Sequence, residues 1–369
     1  MSLTDNNAKF TMTGGEISGN RAYCFGGGIS AHGGTVEISG GTINNNHAAE
    51  GPYYQSGSTV DVGGGGIYIN GGTVNFTGGT IKDNFLDGAD KNCGAGVFIE
   101  GGGTFNMSGG TITGCKTDPD ITSAASSKGG GVFVKHGTFT MSGGKVSDNT
   151  VTAREVTPGY TLAAGGGIYG AYYNDTVRGV IEISGGEVSD NTATAGGGIY
   201  SKYRLTVSGS AQIKNNAAPD GKGGGIFIGF NGAFDFTGGT VSGNTAKQGS
   251  GIYVSEPANS STVMKMSGGA TVTEGNDVFL NNDSLGLKAY IVVTGSLDNT
   301  PAATLTMKND ENGYAVDRVV VKGFGSYALT DDDKKKFPIT PQQTSPGLYT
   351  FWTTELDEGN NWLKLKKTP

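Results

Sequence analysis

Residues 63–84, GGGGIYINGGTVNFTGGTIKDN, contain the pattern that decides the fold. Apolar and polar residues alternate in IYIN at 67–70 and again in VNF at 74–76, and Ile81 follows another pair of glycines. A period of two is typical of β-strands, and glycines between short strands permit tight bends. The stretch therefore predicts three short strands separated by glycine bends.

The second half of this stretch belongs to a phrase, apolar-x-apolar-Ser/Thr-Gly-Gly-x-Ile/Val-x-x-Asn, that occurs nine times. Consecutive copies lie between 24 and 42 residues apart, which indicates a fixed structural unit with loops of different length. Two copies carry one extra residue, and Cys115 replaces the closing Asn in the fourth copy. The copies begin at Phe10, Val36, Val74, Phe105, Phe139, Ile181, Leu205, Phe234 and Met264.

The shortest repeat, 24 residues, holds three short strands but not the four antiparallel strands of a propeller blade. A sustained helical period is missing, and glycine is too frequent for helix interiors. We therefore predict an all-β solenoid, a parallel β-helix of about nine to eleven coils, each stacked at roughly 4.8 Å on the last. Residues 1–276 are predicted to form the repeats, and residues 277–369 the irregular last coils and a C-terminal β cap.

Charged residues show which strand face points outward. The position of Asn70 is occupied by Glu100, Lys135 and Lys202 in other repeats, and burying a row of charges is prohibitive. The neighbouring aliphatic residues are therefore predicted to face the core, and one aromatic residue per repeat to face outward. That row could be an exposed stripe that binds sugars or a partner chain, or a self-packing ladder covered by neighbouring groups. The inward row is Ile67, Val97, Val132, Ile168, Ile199, Ile226 and Ile252. The outward row is Tyr68, Phe98, Phe133, Tyr169, Tyr200, Phe227 and Tyr253.

The Asn that closes each phrase is predicted to stack with its counterparts as an amide ladder in a turn. Asp83, Asp148 and Asp190 precede ladder residues and are interpreted as turn formers. The glycine pairs are interpreted as structural, because none of them precedes a helix that could bind phosphate. The ladder members are Asn20, Asn46, Asn84, Asn149, Asn191, Asn216, Asn244 and Asn276.

Four consecutive inserts between repeats are long, and stacked coils would bring them out side by side at one corner. Inserts grouped on one face are a common way for repeat proteins to form binding sites. We expect a binding surface there that includes Tyr53, Tyr54, Asp118, Asp120 and Arg154. Decorative loops and a catalytic groove are the alternatives. The inserts span 47–62, 85–93, 116–128 and 150–164.

Composition excludes several classes of protein. The chain has 68 glycines in 369 residues without a three-residue period, so it is not collagen. A net charge of −7 without a basic stripe disfavours a nucleic-acid partner. No apolar run approaches the roughly 18–20 residues of a membrane-spanning helix. Three cysteines make no disulfide framework, and whether Cys93 and Cys115 pair stays open.

The sequence shows only weak signals for a catalytic or metal-binding site. His32, His47 and His136 match no metal-ligand spacing, and no cofactor motif is present, so we expect neither a metal nor a cofactor. Enzymes that cleave polysaccharides need clustered carboxylates or a basic group beside them. The nearest candidates are Asp118, Asp120 and Arg154, which lie in the inserts.

The C-terminal segment carries different signals. The charged run at 330–336 is predicted to be a solvated loop. Trp352 and Trp362 are predicted to pack the cap onto the end of the solenoid.

The Gly-Gly-Gly-Ile and Ile/Val-x-x-Asn motifs resemble the paired signatures of polymorphic outer-membrane-protein repeats. Over residues 10–276 the chain is similar, more broadly, to bacterial surface proteins with pectin-lyase-like right-handed parallel β-helix repeats. This resemblance implies a right-handed helix, an extracellular or cell-surface location and an adhesin-like or structural role. No signal peptide is visible, and Met1-Ser2-Leu3 precede a segment that starts within the pattern, so we expect a targeting segment to have been removed.

We therefore expect a non-enzymatic, adhesin-like protein that binds a host or microbial glycan or a surface protein through the insert corner and the aromatic row. One alternative is a polysaccharide lyase or glycoside hydrolase on the same fold. A second alternative is a structural stalk that neither binds nor turns over a ligand.

Overall fold

A computed structural model of the chain describes residues 1–49, 61–87, 91–117, 126–152, 163–255, 263–282 and 287–368. These residues are almost entirely β, with long parallel sheets and one short helix, Asp331–Lys336. The all-β class is therefore confirmed, and the parallel pairing is compatible with a β-helix.

One sheet, called sheet A, receives a single strand from each repeat. Its eleven strands pair in parallel and in register, so that Ile67 aligns with Val97, and Val97 with Val132. Side chains of equal type are therefore stacked along the sheet. The strands are Ser2–Leu3, Ile29–Ala31, Ile67–Asn70, Val97–Glu100, Val132–Val134, Ile168–Gly170, Ile199–Ser201, Ile226–Ile228, Ile252–Val254, Asp277–Leu280 and Thr304–Met307.

The nine-copy phrase forms the larger sheet B, in which most copies contribute two short strands on either side of the Gly-Gly bend. Pairing is parallel up to Val319–Gly323, and the last two strands close the sheet in the antiparallel direction. The strands are Lys9–Ser18, Thr35–Asn44, Thr73–Phe76, Thr80–Lys82, Gly103–Met107, Thr111–Thr113, Gly137–Met141, Lys145–Ser147, Gly179–Ile183, Glu187–Ser189, Arg204–Val207, Gln212–Lys214, Ala233–Phe236, Thr240–Ser242, Val263–Gly268, Thr271–Val272, Ile291–Leu297, Val319–Gly323, Trp352–Asp357 and Trp362–Lys367.

Shorter strands, called the corner strands, connect sheet B to the next strand of sheet A. They form two four-stranded sheets and one two-stranded sheet, all with parallel pairing. The corner strands are Arg21–Tyr23, His47–Ala49, Phe85–Asp87 and Lys116–Thr117, then Asp61–Gly63, Lys91–Cys93, Ser126–Lys128 and Ala163–Ala164, then Ala217–Lys222 and Thr245–Gln248. A separate antiparallel hairpin comprises Gln342–Ser345 and Leu348–Thr350.

The core lies between sheets A and B and runs along the whole stack. All seven members of the predicted inward row are 0% exposed and belong to one continuous apolar cluster. The alternating residues of sheet B, such as Phe105 and Met107, form the opposite wall of this cluster. The inward row is therefore confirmed.

The predicted asparagine ladder is present. Asn191 shows the pattern: its Nδ2 donates to Oδ1 of Asn216 at 2.9 Å and to the carbonyl of Val146 at 3.0 Å, and its Oδ1 accepts from Asn149. The ladder is buried from Asn46 onward, so these bonds satisfy groups that water cannot reach. At the break, the amide of Cys115 still donates to Oδ1 of Asn149 at 3.0 Å.

The first and third glycines of each Gly-Gly-Gly triplet are needed for different structural reasons. Gly165 has a φ of +67°, a conformation that L side chains rarely adopt, and it turns the chain from the corner strand into sheet A. A Cβ on Gly167 would lie 2.9 Å from Nδ2 of Asn191 and 2.7 Å from the carbonyl oxygen of Gly198. The third position therefore has no space for a side chain between the ladder amide and the backbone of the next repeat, and glycine is required there. Asp83, Asp148 and Asp190 have positive φ values of 53° to 58°, which confirms them as turn formers.

The C-terminal segment departs from one expectation. Residues 331–336 form a short helix, so the prediction of a solvated loop is wrong. The Asp333 carboxylate is buried and accepts hydrogen bonds from the backbone N–H and hydroxyl of Thr330, which caps the helix. Trp352 packs against the main core, as predicted, and Trp362 lies under the ammonium of Lys322.

Candidate functional site

The predicted aromatic row faces away from the main core, with one ring on each of seven consecutive sheet A strands. Neighbouring ring centroids are 4.6 Å to 5.5 Å apart, and Phe25 and Phe279 extend the row at its two ends. Most pairs are stacked, but the Phe98 ring is tilted against Tyr68 and meets Phe133 edge to face. In-register pairing of sheet A places each ring directly over the next. The spacing between neighbouring rings is therefore as regular as the sequence predicts.

The row is buried, however, so the expectation of an open binding stripe is corrected. Tyr68, Phe98, Phe133, Tyr169, Tyr200, Phe227 and Tyr253 are between 0% and 8% exposed. They form a second apolar cluster with Cys93, Ala164, Ala171 and Ala195. The corner strands fold back over the rings at the positive-φ glycines, and Gly63 lies against Phe98 so closely that a Cβ there would collide with the ring. These seven residues are a packing ladder rather than a surface that a ligand can reach.

The five insert residues Tyr53, Tyr54, Asp118, Asp120 and Arg154 lie outside the described residues, and their role stays a prediction. The strands that flank the inserts are described and stack in register. Phe85 pairs with His47 and with Lys116 where the inserts begin, and Cys93 pairs with Gly63 and with Lys128 where they end. The inserts therefore leave the stack from adjacent positions.

A group of half-buried and exposed rings lies where the sheet A strands end. We call Tyr172, Tyr173, Tyr203, Phe230 and Arg178 the aromatic corner. Tyr172 and Tyr203 are stacked with their centroids 5.8 Å apart and their planes at 15°, and the Arg178 guanidinium lies 5.0 Å from the Tyr203 ring. Tyr173 and Phe230 are 50% and 52% exposed. Solvent can therefore reach aromatic rings and a guanidinium group in the same region of the surface.

A short hairpin holds the aromatic corner in place. Tyr172 and Arg178 form an antiparallel bridge, and between them Oδ1 of Asn174 accepts hydrogen bonds from the backbone of Thr176 and Val177. The Tyr172 hydroxyl donates to Asp175 at 3.0 Å. A turn with hydrogen bonds from the backbone to a side chain restricts the conformation of the loop. The positions of Tyr172 and Arg178, at the two ends of this hairpin, are therefore fixed relative to each other.

Beside the aromatic corner lies an ionic cluster that spans three repeats. Lys135 pairs with Asp61 at 2.6 Å and with Glu100 at 3.1 Å, and the Tyr68 hydroxyl donates to Glu100. Burial lowers the pKa of Lys135, but the hydrogen bonds and charges of the two carboxylates outweigh it and raise the pKa. Burial, with the contact to Glu100, raises the pKa of Tyr68. Both groups therefore stay protonated at neutral pH.

Further along the same face, lysines lie over the aromatic row. Lys202 lies 6.0 Å from the Tyr200 ring and Lys222 lies 5.0 Å from the Tyr253 ring. Burial, and then the charge of Lys128, lowers the pKa of Lys202. Among the described residues, no carboxylate forms an ion pair with Lys202 or Lys222.

The residues that sequence reasoning missed had a detectable signal. His136, Tyr172, Tyr203 and Phe230 each lie seven positions after the first glycine of a triplet, in four consecutive repeats. The same alignment places Lys135 and Lys202 at one register position, one residue earlier. The rings inside the strand phrase are more regular and buried, whereas those just after it are half-buried, as in His136, Tyr172 and Tyr203, or exposed, as in Phe230.

All three cysteines are buried, and no disulfide joins any two of them. Cys115 lies in the main core and Cys93 in the aromatic cluster, so a wall of sheet separates them and they do not pair. In the described ranges, no group of three or more His, Cys, Asp or Glu side chains is placed to hold a metal ion. Within those ranges, too, no helix has the length and apolar character needed to cross a membrane.

Comparisons with protein-family models, with curated proteins and with solved structures find no match to this chain. Its function is therefore inferred from its own residues.

Proposed function

We propose that the chain is a right-handed parallel β-helix of about nine to eleven coils with a C-terminal β cap. The in-register parallel sheets, the continuous core and the asparagine ladder support the solenoid. The right hand agrees with the usual crossover of parallel strands and with the repeats that the sequence resembles. This frame would hold side chains of successive repeats at fixed spacing of roughly 4.8 Å.

On this frame we propose a non-enzymatic, adhesin-like module, secreted or at the cell surface, that binds an acidic glycan at the aromatic corner. The observation that carries the proposal is the half-buried Tyr172–Tyr203 stack with Arg178 at 5.0 Å from the Tyr203 ring. Flat aromatic faces suit the apolar faces of sugar rings, and guanidinium groups bind carboxylates or sulfates with directed hydrogen bonds.

The charge on the neighbouring surface favours an acidic glycan over a neutral one. Lys202 lies one residue before Tyr203 and has no ion-pair partner among the described residues, although its charge is partly desolvated. An anionic group of the ligand would offset that desolvation. The stacked insert flanks support a second contact region, for which Tyr53, Tyr54, Asp118, Asp120 and Arg154 remain the proposed residues.

Catalysis on a polysaccharide remains the alternative, and the ionic cluster is where it would have to occur. A lyase or hydrolase needs a group that accepts a proton at neutral pH. Lys135 and Tyr68 are both held protonated, and Lys135 engages both carboxylates of the cluster. These contacts favour a structural ion network over a catalytic one.

The test is binding of the full chain to an array of acidic and neutral glycans, followed by titration of the best ligand. Tyr203→Ala should weaken that binding by about five- to thirtyfold, since a ring contact with its cation partner contributes on the order of 1 to 2 kcal/mol. Tyr349→Ala is the matched control, because Tyr349 is also exposed, at 53%, but lies in the C-terminal hairpin.

Two results would contradict the proposal. One is equal affinity of the Tyr203→Ala and Tyr349→Ala variants for every ligand found. The other is the release of reducing or unsaturated ends from any of the polysaccharides, which would establish the enzyme alternative.

A further inference from the structure

The ionic cluster brings together three charged side chains from three different repeats. Nζ of Lys135 lies 2.6 Å from Oδ2 of Asp61 and 3.1 Å from Oε2 of Glu100. Asp61 and Lys135 are 74 residues apart in sequence. Asp61 begins a corner strand, whereas Glu100 ends a sheet A strand and Lys135 directly follows the next one. The cluster therefore connects two sheets of the stack at one point.

These three side chains are more shielded from water than other ion pairs of the chain. The side chains of Lys135, Asp61 and Glu100 are 26%, 12% and 18% exposed. In the other ion pairs between described residues, the carboxylates are 21% to 81% exposed. Nζ of Lys135 also lies 6.0 Å from the centre of the Phe98 ring. Partial loss of hydration raises the free energy of the ions, and so favours their conversion into a neutral product.

The two carboxylates of the cluster are held in different ways. Glu100 accepts a hydrogen bond from the Tyr68 hydroxyl at Oε1 and faces the Lys135 ammonium with Oε2. The contact with Tyr68 fixes this carboxylate in a position where its second oxygen can take up a proton from Nζ and return it. Among the side chains of the described residues, only Lys135 donates to Asp61. Asp61 is therefore the carboxyl group that the amine approaches most closely.

The backbone of each member is fixed by sheet pairing. Asp61 pairs in register with Lys91, and Glu100 pairs with Asn70. The backbone N–H of Lys135 donates to the carbonyl of Ile99 at 2.9 Å. Well-oriented groups within one molecule react as if at concentrations of about 10⁵ to 10⁸ M. Such preorganisation can drive a condensation that is unfavourable between separate molecules in water.

We propose that Lys135 and Asp61 become joined by an amide bond between Nζ and Cγ, with Glu100 as the proton carrier. A proton first passes from Nζ to Oδ2, which leaves a neutral amine and a carboxylic acid. The nitrogen lone pair attacks Cγ and forms the C–N bond. Glu100 takes a proton from the nitrogen and gives it to the hydroxyl group on Cγ. That group leaves as water with the electron pair of the C–O bond, so one water is lost and Glu100 is regenerated.

The reaction occurs once in each molecule and needs no oxidant, metal or external substrate. Burial lowers the pKa of Lys135, but the contacts with Asp61 and Glu100 outweigh burial and raise the pKa, so the ion pair is the resting form and the bond forms slowly after folding. The bond closes a covalent loop from residue 61 to residue 135, which includes the inserts at 85–93 and 116–128. A cut in either insert would then leave the two pieces joined. This inference is independent of the proposed glycan binding.

The test is the intact mass of the full chain, followed by peptide mapping of a tryptic digest. After the folded chain has been held at neutral pH, its mass should be lower than the sequence mass by one water. The digest should contain a branched peptide in which Asp61 and Lys135 are linked. The rate at which this peptide accumulates after cell-free synthesis should fall by at least about a hundredfold in Glu100→Gln, because Nζ then lacks its proton acceptor.

Two further variants control for folding and for the site. Lys135→Arg keeps the positive charge but has no amine for this bond, so it should stay at its sequence mass even if Glu100→Gln fails to fold. Glu187→Gln is the matched control, because Glu187 forms ion pairs with Lys145 and Lys214 on the other sheet. This variant should lose one water as the wild-type chain does.

A wild-type chain that stays at its sequence mass, with no branched peptide in the digest, would overturn the proposal. A water loss that survives Lys135→Arg would also overturn it, because the loss would then come from an aspartate that cyclises elsewhere in the chain. Neither result bears on glycan binding, which is measured separately through Tyr203→Ala.

Discussion

At the scale of single residues, the asparagine that closes an interior repeat bonds to the repeats on both sides of it. Asn191 joins two neighbouring ladder residues and the carbonyl of Val146, and it is 0% exposed. Its amide also lies against the third glycine of its own repeat, since a Cβ on Gly167 would be 2.9 Å from Nδ2. The Gly triplet and the Asn are therefore structurally linked, because the ladder amide packs where a side chain on the third glycine would lie.

Replacing Asn191 with Ala should destabilise the chain by about 2 to 4 kcal/mol, because buried groups of Asn149 and Asn216 would lose their partners. Asn20→Ala should cost less than about 1 kcal/mol, because Asn20 is exposed at the end of the ladder. Equilibrium unfolding in denaturant measures both. Equal losses for the two variants would show that the interior ladder adds nothing to stability.

Glu187 joins three repeats through ion pairs with Lys145 at 3.2 Å and Lys214 at 2.7 Å. Burial raises its pKa, but hydrogen bonds from Lys214, Ser189 and Lys145 outweigh burial and lower the pKa to about 2, from an ordinary 4.5. A depressed pKa contributes stability above the unfolded value, and that contribution is lost as pH falls through the folded value.

Glu187→Gln should therefore destabilise the chain at pH 7, by less than about 1 kcal/mol because the pairs are near the surface. The difference from the wild-type chain should shrink as pH falls from about 4.5 to about 2. Denaturant midpoints across this range provide the test. A difference that stays constant with pH would show that the charge of Glu187 is not involved.

At the scale of elements, the strands follow from the sequence, but the cover over the aromatic row does not. Period-two alternation and the charges at Glu100 and Lys135 were enough to assign the inward side of sheet A. Burial of the rings depends on corner strands that fold back at residues such as Gly64, where φ is +65°. Because inserts of variable length precede these strands, their path over Phe98 could not be read from local pattern.

Phe133 distinguishes the packing ladder from a binding stripe. It is 0% exposed, with ring neighbours 5.2 Å away on both sides. Phe133→Ala should cost about 3 to 5 kcal/mol of stability through the cavity it leaves. Phe133→Leu should cost less and leave glycan affinity unchanged. Denaturant unfolding and glycan titration provide the two readouts, and a loss of affinity in the folded Leu variant would restore the row as a binding surface.

The candidate site could be predicted from the sequence only in part. The long inserts and the outward row of rings are both visible as patterns in the sequence. The in-register pairing of the strands at the ends of the inserts agrees with the prediction that the inserts lie side by side. The aromatic corner was missed because its rings follow the strand phrase instead of lying within it. Contact between Tyr203 and Arg178 also depends on a hairpin held by Asn174, whose geometry the sequence does not reveal.

At the scale of the whole molecule, each repeat contacts the repeats before and after it, so stability is expected to be a sum of local and nearest-neighbour terms. The C-terminal end of the stack is closed by an antiparallel pair of strands. The glycan binding proposed for the aromatic corner depends on this stack being in register.

Disulfide cross-linking between neighbouring repeats tests that register most directly. Thr111 and Lys145 are partners on adjacent strands, and both are accessible, whereas Thr113 lies two residues away along the strand. The chain with Thr111→Cys and Lys145→Cys should form the new disulfide under mild oxidation, and the chain with Thr113→Cys and Lys145→Cys should not, because its Cα atoms would be more than about 7 Å apart. A cross-link in the second chain and none in the first would contradict the in-register parallel stack.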